Sequence, residues 1–493
     1  MRTLLRLLLL LLCTGLVLHQ PAAAQGTGRA LTLEGLDQSF TSGARSIAMG
    51  STGAASGGDA TALFVNPAAL SLLTAPEIRL GGVFTITDSK QEQDWIPNRF
   101  YPNLSLLLED MLAGIKEPDA TEAQDKLQRP FDDLKPDWTR SRSVASPLLI
   151  AAALPVDIGD MKAVVGVGFH QSVDLDHFYQ NNTILDPNLG LYRPQPLPVV
   201  TGQDSLLVRW YGYQRERIGT INGYTASASF VPLDNFSIGL SATYYRGSSD
   251  DVELTTTRGR MTFFYDSFRL DQAGDVWTVT GTSTWSGFTG SLGLHYRDTY
   301  FSVGGTVRLP FTIKREWERT LSIAYGPGSG TSGGTAVSVG GPAASGSDEI
   351  SYPVTMTVGF TLTPSEALTF AADMSLRGTK DVEYAAAGAA AVSPWLQSNL
   401  VHLGAEYRAN DWLSVRGGYH TAVQVFAPSG AGLIDEPARG SAYSAGVGLA
   451  FGTFGCDIAY ELVDLEYQDK WETNVNTNSS NRHRILLETY VRF

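Results

Sequence analysis

The sequence predicts an all-β protein, a 14-stranded antiparallel transmembrane β-barrel with an N-terminal plug in its lumen. Three observations predict it. From Glu77 to Phe493 apolar and polar residues alternate through a long series of short segments. That is the period-2 pattern of strands with one apolar and one polar face. Short and long connections alternate between the segments, as in bacterial outer-membrane barrels, which carry short turns on one side and long loops on the other. Ahead of them lies Ser42 to Leu70, a stretch too small and Gly/Ala-rich for a core strand, whose Gly-Gly and Asn-Pro pairs break a long helix. Small residues let a backbone fold tightly in a confined space.

Composition agrees. At 493 residues the chain exceeds one ordinary soluble domain, and barrels are the exception to that limit. The net charge of -14 opposes a nucleic-acid partner, which needs a basic face. A mean hydropathy of -0.05 still permits a membrane barrel, whose strands give only every second residue to lipid. Arg2 and Arg6, the apolar run Leu7 to Leu18 and Ala22-Ala23-Ala24 read as a secretory signal peptide over residues 1–24. One cysteine, Cys456, remains beyond it, which excludes an intramolecular disulfide and a cysteine-based zinc site.

The chain then divides into a plug (25–76) and a barrel (77–493). Glu77 to Ile86 opens the barrel, with Ile78, Leu80, Phe84 and Ile86 on one face and Arg79 and Thr85 on the other. A long polar stretch, Thr87 to Arg142, contains a helix-like run with Leu104, Leu107, Leu108, Met111, Leu112 and Ile115 on one face. Strands follow at 143–155 and 162–173, then a long connection to about Ile218. Four hairpins turn near 233–235, 297–299, 363–366 and 409–411, and a fifth near 452–453. Gly326 to Ser347 and Thr255 to Thr280 read as external loops. In the last strand, Ile485, Leu487, Val491 and Phe493 share one face, and Arg484, Glu488 and Arg492 the other. Arginine on the lipid face costs about 2–4 kcal/mol near the midplane, so the charges belong inside. The even strand number places both termini on the periplasmic side.

With those residues in view, the chain resembles the FadL/TodX family of outer-membrane transporters for hydrophobic compounds. The match rests on Ala44-Arg45-Ser46-Ile47-Ala48-Met49-Gly50, on Asp59-Ala60 and on Phe64-Val65-Asn66-Pro67-Ala68, whose last three residues match the family's Asn-Pro-Ala hatch motif. Leu309-Pro310-Phe311, Leu403 to Arg408 and Val415 to Tyr419 add to it. The resemblance implies a lumen hatch, a gap in the barrel wall, and passive uptake of long-chain fatty acids or other apolar molecules across the outer membrane of a Gram-negative bacterium. It implies hydrophobic small molecules and outer-membrane lipids as partners, no nucleic acid, no cofactor and no enzymatic role.

Under that resemblance Asn66, Pro67 and Ala68 belong to the gating hatch. Gly166 and Gly168 mark either a wall opening in the third strand or close packing against the plug, since glycine within a strand often marks a bend or a close approach. Lys314, Arg315 and Arg319 are candidates for an anionic headgroup or a solvated loop base. Leu107, Leu108, Met111 and Leu112 form either an apolar capture surface or a cap over the barrel mouth. No histidine pair has metal-ligand spacing, and no Gly-x-Ser-x-Gly elbow appears. The competing reading is a PorV-like docking or shuttle barrel with a secreted-protein partner.

Overall fold

The structure is a computed structural model that describes residues 31–38, 43–94, 137–159, 161–182, 206–264, 267–272, 274–326, 338–426, 438–471 and 474–493. The expected signal peptide and the run containing Leu107, Leu108, Met111 and Leu112 lie outside the described residues.

Fourteen strands form one closed antiparallel barrel. They are β1 (Glu77–Asp94), β2 (Trp138–Ile158), β3 (Met161–Asp174, resumed at His177–Asn182), β4 (Leu206–Leu233) and β5 (Phe236–Phe264). Then come β6 (Ser267–Gln272, resumed at Val276–Arg297), β7 (Phe301–Arg308 and Phe311–Ala324), β8 (Ser338–Tyr352 and Thr355–Ser365) and β9 (Leu368–Leu376 and Glu383–Ala386). The last five are β10 (Asn399–Arg408), β11 (Leu413–Val423), β12 (Arg439–Phe451), β13 (Phe454–Trp471) and β14 (Asn474–Arg492). Prolines explain two interruptions: Pro310 and Pro353 cannot donate to a ladder, and β7 and β8 break beside them. Closure comes from β1 on β14, in register from Glu77↔Arg492 to Asp94↔Val475. That pairing joins the first strand to the last and closes the sheet on itself.

Burial follows the alternation. On β1, Ile78, Leu80 and Phe84 are exposed on the outside while Arg79 is buried inside; on β14, Ile485 and Leu487 face out while Arg484 and Glu488 face in. The outward set is an apolar belt, the surface a bilayer requires.

Three stretches expected as loops are strand. The Thr255 to Thr280 region continues the ladder, with Glu253↔Val279 and Thr256↔Val276 between β5 and β6 and a hairpin of 259–264 on 267–272. Strand also runs through His177–Asn182 and through β8 from Ser338. Here the regular apolar alternation ends although backbone pairing does not.

Two N-terminal pieces lie within the barrel. Residues 43–73, the floor segment, hold α1 (Ala44–Ala48), α2 (Ala62–Val65) and the 3-10 helix Pro67–Leu72. Residues 31–38, the strap, lie nearer the long-connection side, beside Arg217 of β4 and Arg315 of β7.

Candidate functional site

The floor segment is too short in regular structure to satisfy its own backbone, and the wall does so instead. Ser227 donates to the Leu63 carbonyl (3.0 Å), Thr306 to Val65 (3.0 Å), Ser302 to Ala55 (3.0 Å), and Ser229 and Ser237 both to Ala68 (3.0 and 2.9 Å). Asp373 accepts from the Gly53 and Ala54 amides at 2.7 and 2.8 Å, Glu77 from Ala60 at 2.8 Å and Glu488 from Ala44 at 2.7 Å. Asn66 is fully buried. Its amide donates to the carbonyls of Ala54 (2.7 Å) and Leu294 (3.1 Å), and its side-chain oxygen accepts from Ala68 (3.1 Å), capping the 3-10 helix that Pro67 begins. This close seating needs glycine at Gly239 and Gly293, where a Cβ would overlap Ala68 and Asn66.

Beneath lies an ion-pair network. Arg79 bonds Glu77, Asp457 and Glu488, while Arg416 joins Glu406 and Asp457, both at 2.6 Å. Arg45 of α1 holds Glu406 at 3.0 Å and faces Asp59 at 3.8 Å. Charges of both signs therefore bind floor to wall.

Above the floor is a cavity of about 240 Å³. Phe64 and Val65 form its base, Tyr245, Phe311, Tyr352 and Trp395 much of its wall, and Arg308, Arg377, His170 and Asp373 supply polar groups. Phe311 and Tyr352 stack at 4.7 Å between centroids. Aromatic and aliphatic side chains share the lining about equally with hydroxyls, imidazoles, arginines and a carboxylate, so the chamber is amphipathic, a concave site with apolar walls and convergent polar groups.

His170, Ser172 and Val173 of β3 also line this chamber. There the wall changes. β2 pairs with β3 from Ile158↔Met161 only as far as Leu149↔His170. Farther along, β2 stays on β1 and β3 on β4, and among the described residues side chains bridge β2 and β3. Ser146 meets Gln171 (2.9 Å), Arg142 meets Asp176 (3.0 Å), and Trp138 donates to the Gln180 carbonyl (3.0 Å). Pro147 removes a ladder donor at this level, and register shifts sit at Gly81/Gly82 and Gln171/Val173. Phe64 stands beside the parting, 4.3 Å from the His170 ring, over Gly168, where a Cβ would come within 2.7 Å of it. Gly166 lies by Leu63 with more room, where a Cβ would sit at an ordinary contact distance of 3.6 Å. Both glycines thus pack against the floor segment, next to the place where the ladder parts.

The roof is the strap. Its Leu31 carbonyl accepts from Arg315 (2.8 Å) and Arg319 (3.1 Å), and the Thr32 and Glu34 carbonyls accept from Arg217 (both 3.0 Å). The Leu31 amide donates to Glu253 (2.8 Å), and Glu34 pairs with Arg215 (2.8 Å). Buried Trp285 lies between the Arg217 and Arg315 guanidiniums, 5.2 and 5.3 Å from its ring. Burial alone would raise the Glu34 carboxyl, but Arg215, His177 and Arg217 hold it down at about 2. Of the three expected headgroup contacts, Arg315 and Arg319 are therefore engaged by the strap, and Arg315 further by Asp251 and Asp348. Lys314 is on the other face, paired outside with Glu316 at 2.7 Å, because neighbours along a strand point oppositely.

Sequence reasoning did not separate the strap from the floor. Its signal was the leucine spacing of Leu31, Leu33 and Leu36, all buried. The chamber aromatics were missed too: Tyr245, Phe311 and Tyr352 come from separate strands and Trp395 from a connection, and only the closed barrel brings them together.

No protein-family model and no curated protein matches the chain. Solved structures do. A FadL homologue of Pseudomonas aeruginosa superposes with a TM-score of 0.58 over 92% of this chain and 100% of that one, at 14% identity. The toluene transporter TodX of P. putida gives 0.56 over 92% and 98%, also at 14% identity. The Ralstonia pickettii toluene transporter TbuX gives 0.50 over 92% and 98%, at 16% identity. This chain has the FadL/TodX barrel fold. The likeness extends over nearly the whole length of each chain, and two of these three neighbours are toluene transporters.

Proposed function

We propose that this barrel lets small hydrophobic molecules cross the outer membrane passively, without cofactor or energy source. The observation that carries this reading is the aromatic-walled chamber above the floor, which abuts β3 where its ladder with β2 ends. An apolar molecule gains about 25 cal/mol for each Å² removed from water. It enters the chamber on that gradient and loses nothing by leaving sideways into lipid. Residues 25–76 act as the hatch, with Asn66-Pro67-Ala68 as its rigid turn. Phe64 closes the route to the parting, and Gly166 and Gly168 give the hatch room to seat there. The FadL homologue and the toluene transporters of the same fold support the reading.

The test is uptake of radiolabelled toluene by cells expressing the protein, compared with cells in which Ser146 and Gln171 are both cysteine in a Cys456→Ser background. Oxidation that bridges β2 to β3 is expected to slow uptake at least several-fold, and reduction to restore it. Uptake unchanged by the bridge would rule out sideways exit at this place. Absence of uptake above control cells would remove the transport reading altogether.

A further inference from the structure

We propose that the strap, residues 31–38, sets the size of molecule the lumen accepts. This rests on the transport reading of the chamber. The loop-side lumen is divided: the chamber of about 240 Å³ lies beside two smaller cavities of about 110 and 120 Å³. Strap residues lie in the partitions. Leu36 lines the chamber, Asp37 and Gln38 line the 120 Å³ cavity, and Gln38 also lines the 110 Å³ cavity.

Two arginines complete the partitions, and both are held by the strap. Arg377 borders the chamber and the 120 Å³ cavity and donates to the Asp37 carbonyl at 3.5 Å. Arg482 borders the two smaller cavities and donates to the Gln38 side chain. Docking the strap both inserts backbone between the cavities and fixes the guanidiniums that close what is left. Undocking joins the three spaces.

Size selection follows from volume. An apolar cavity of about 150 Å³ takes benzene; by that scale about 240 Å³ takes roughly ten non-hydrogen atoms, one substituted ring or a short chain. A sixteen-carbon chain fits only the joined lumen. A ligand that needs the undocked state binds more weakly in proportion to how rarely that state is populated.

The dock is also built for the strap rather than for a ligand. Arg215, Arg217, Arg315 and Arg319 stand against Glu34, Asp251, Glu253 and Asp348, four charges of each sign, and three of the arginines bond strap carbonyls. Gly35 fixes the fit: its φ is +87°, and a Cβ there would lie 2.6 Å from the Leu175 carbonyl oxygen. Gly35→Ala therefore pushes the strap off the wall at Leu175 while leaving every barrel residue unchanged.

The experiment measures equilibrium binding of radiolabelled toluene and hexadecan-1-ol to the full chain held in amphipol. It compares the unaltered protein with Gly35→Ala and with Leu31→Ser/Leu33→Ser, each first shown to keep the heat-modifiable gel migration of a folded barrel. The expected result is saturable toluene binding by all three, and hexadecanol binding at least about tenfold tighter in both variants than in the unaltered protein. Equal hexadecanol affinity in all three would overturn the size limit. Loss of toluene binding in the variants would also overturn it, making the strap a structural part of the chamber. Failure of the unaltered protein to bind either probe would instead defeat the transport reading.

Discussion

The floor and the roof of the lumen are both N-terminal segments held by the barrel wall, but they are held differently. The floor segment takes its hydrogen bonds from hydroxyls and carboxylates on β1, β4, β5, β7, β9 and β14, and ion pairs bind it from below, its Arg45 to Glu406 and its Asp59 to Arg79. The strap is held less evenly: the arginines of β4 and β7 carry its Leu31–Glu34 half, with leucines packed around Trp285, while Asp37 and Gln38 are tied by single bonds to Asp174, Asp176, Arg377 and Arg482. A segment tied on all sides leaves its seat only by losing many bonds together. An eight-residue strap held through a few arginines has fewer bonds to lose and can peel. On the proposed function, permeability would rest with the floor and selectivity with the roof.

The strongest way to break that comparison is Arg79→Ala. Arg79 is buried among Glu77, Asp457 and Glu488, with Asp59 of the floor segment at 3.8 Å. Removing one partner of a buried charge network costs about 3–5 kcal/mol, because the carboxylates stay buried without it. The urea midpoint of barrel unfolding is expected to fall, and single-channel conductance in planar bilayers to rise as the floor loosens. A stable, non-conducting variant would show that the floor does not depend on this network.

Asn66→Ala sharpens the same point with a smaller effect. It strips a donor from the Ala54 and Leu294 carbonyls and the cap from the 3-10 helix. Each buried group left unpaired costs about 1–3 kcal/mol. Conductance should rise less than with Arg79→Ala, and toluene binding should weaken because the chamber loses its base. Asn66→Asp, which keeps the cap but not the amide donor, is expected to fall between the two.

How far the sequence anticipates this arrangement depends on which physical signal each region carries. Strands that meet lipid must alternate, so all fourteen were legible, and the in-and-out assignment of Ile485, Leu487, Arg484 and Glu488 agrees with their burial. Beyond the lipid that constraint lapses, and the extensions around Thr255 and Ser338 were read as loops. Inside the lumen, partners come from strands hundreds of residues apart, as with Ala44 and Glu488. No local pattern encodes such a pair. Lys314, Arg315 and Arg319 looked alike as a basic run, yet alternation alone separates the outward lysine from the two inward arginines.

The smallest expected effect concerns the roof and is read by pH. Glu34 titrates at about 2 in the docked strap against an ordinary 4.5. A carboxyl whose folded value is depressed adds stability that is fully present above the unfolded value and is lost as pH falls through the folded one. Docking should therefore be unchanged down to about pH 5 and weaken by about 1 kcal/mol near pH 4, with more lost toward pH 2. A spin label at Thr32→Cys, in a Cys456→Ser background, should gain mobility over that interval, while a label on the floor at Ser56→Cys does not move in step with it. In Glu34→Gln the strap label should start more mobile and lose this pH response. If floor and strap labels loosen together, with or without Glu34, then the two segments form one unit and the division between a fixed floor and a releasable roof is wrong.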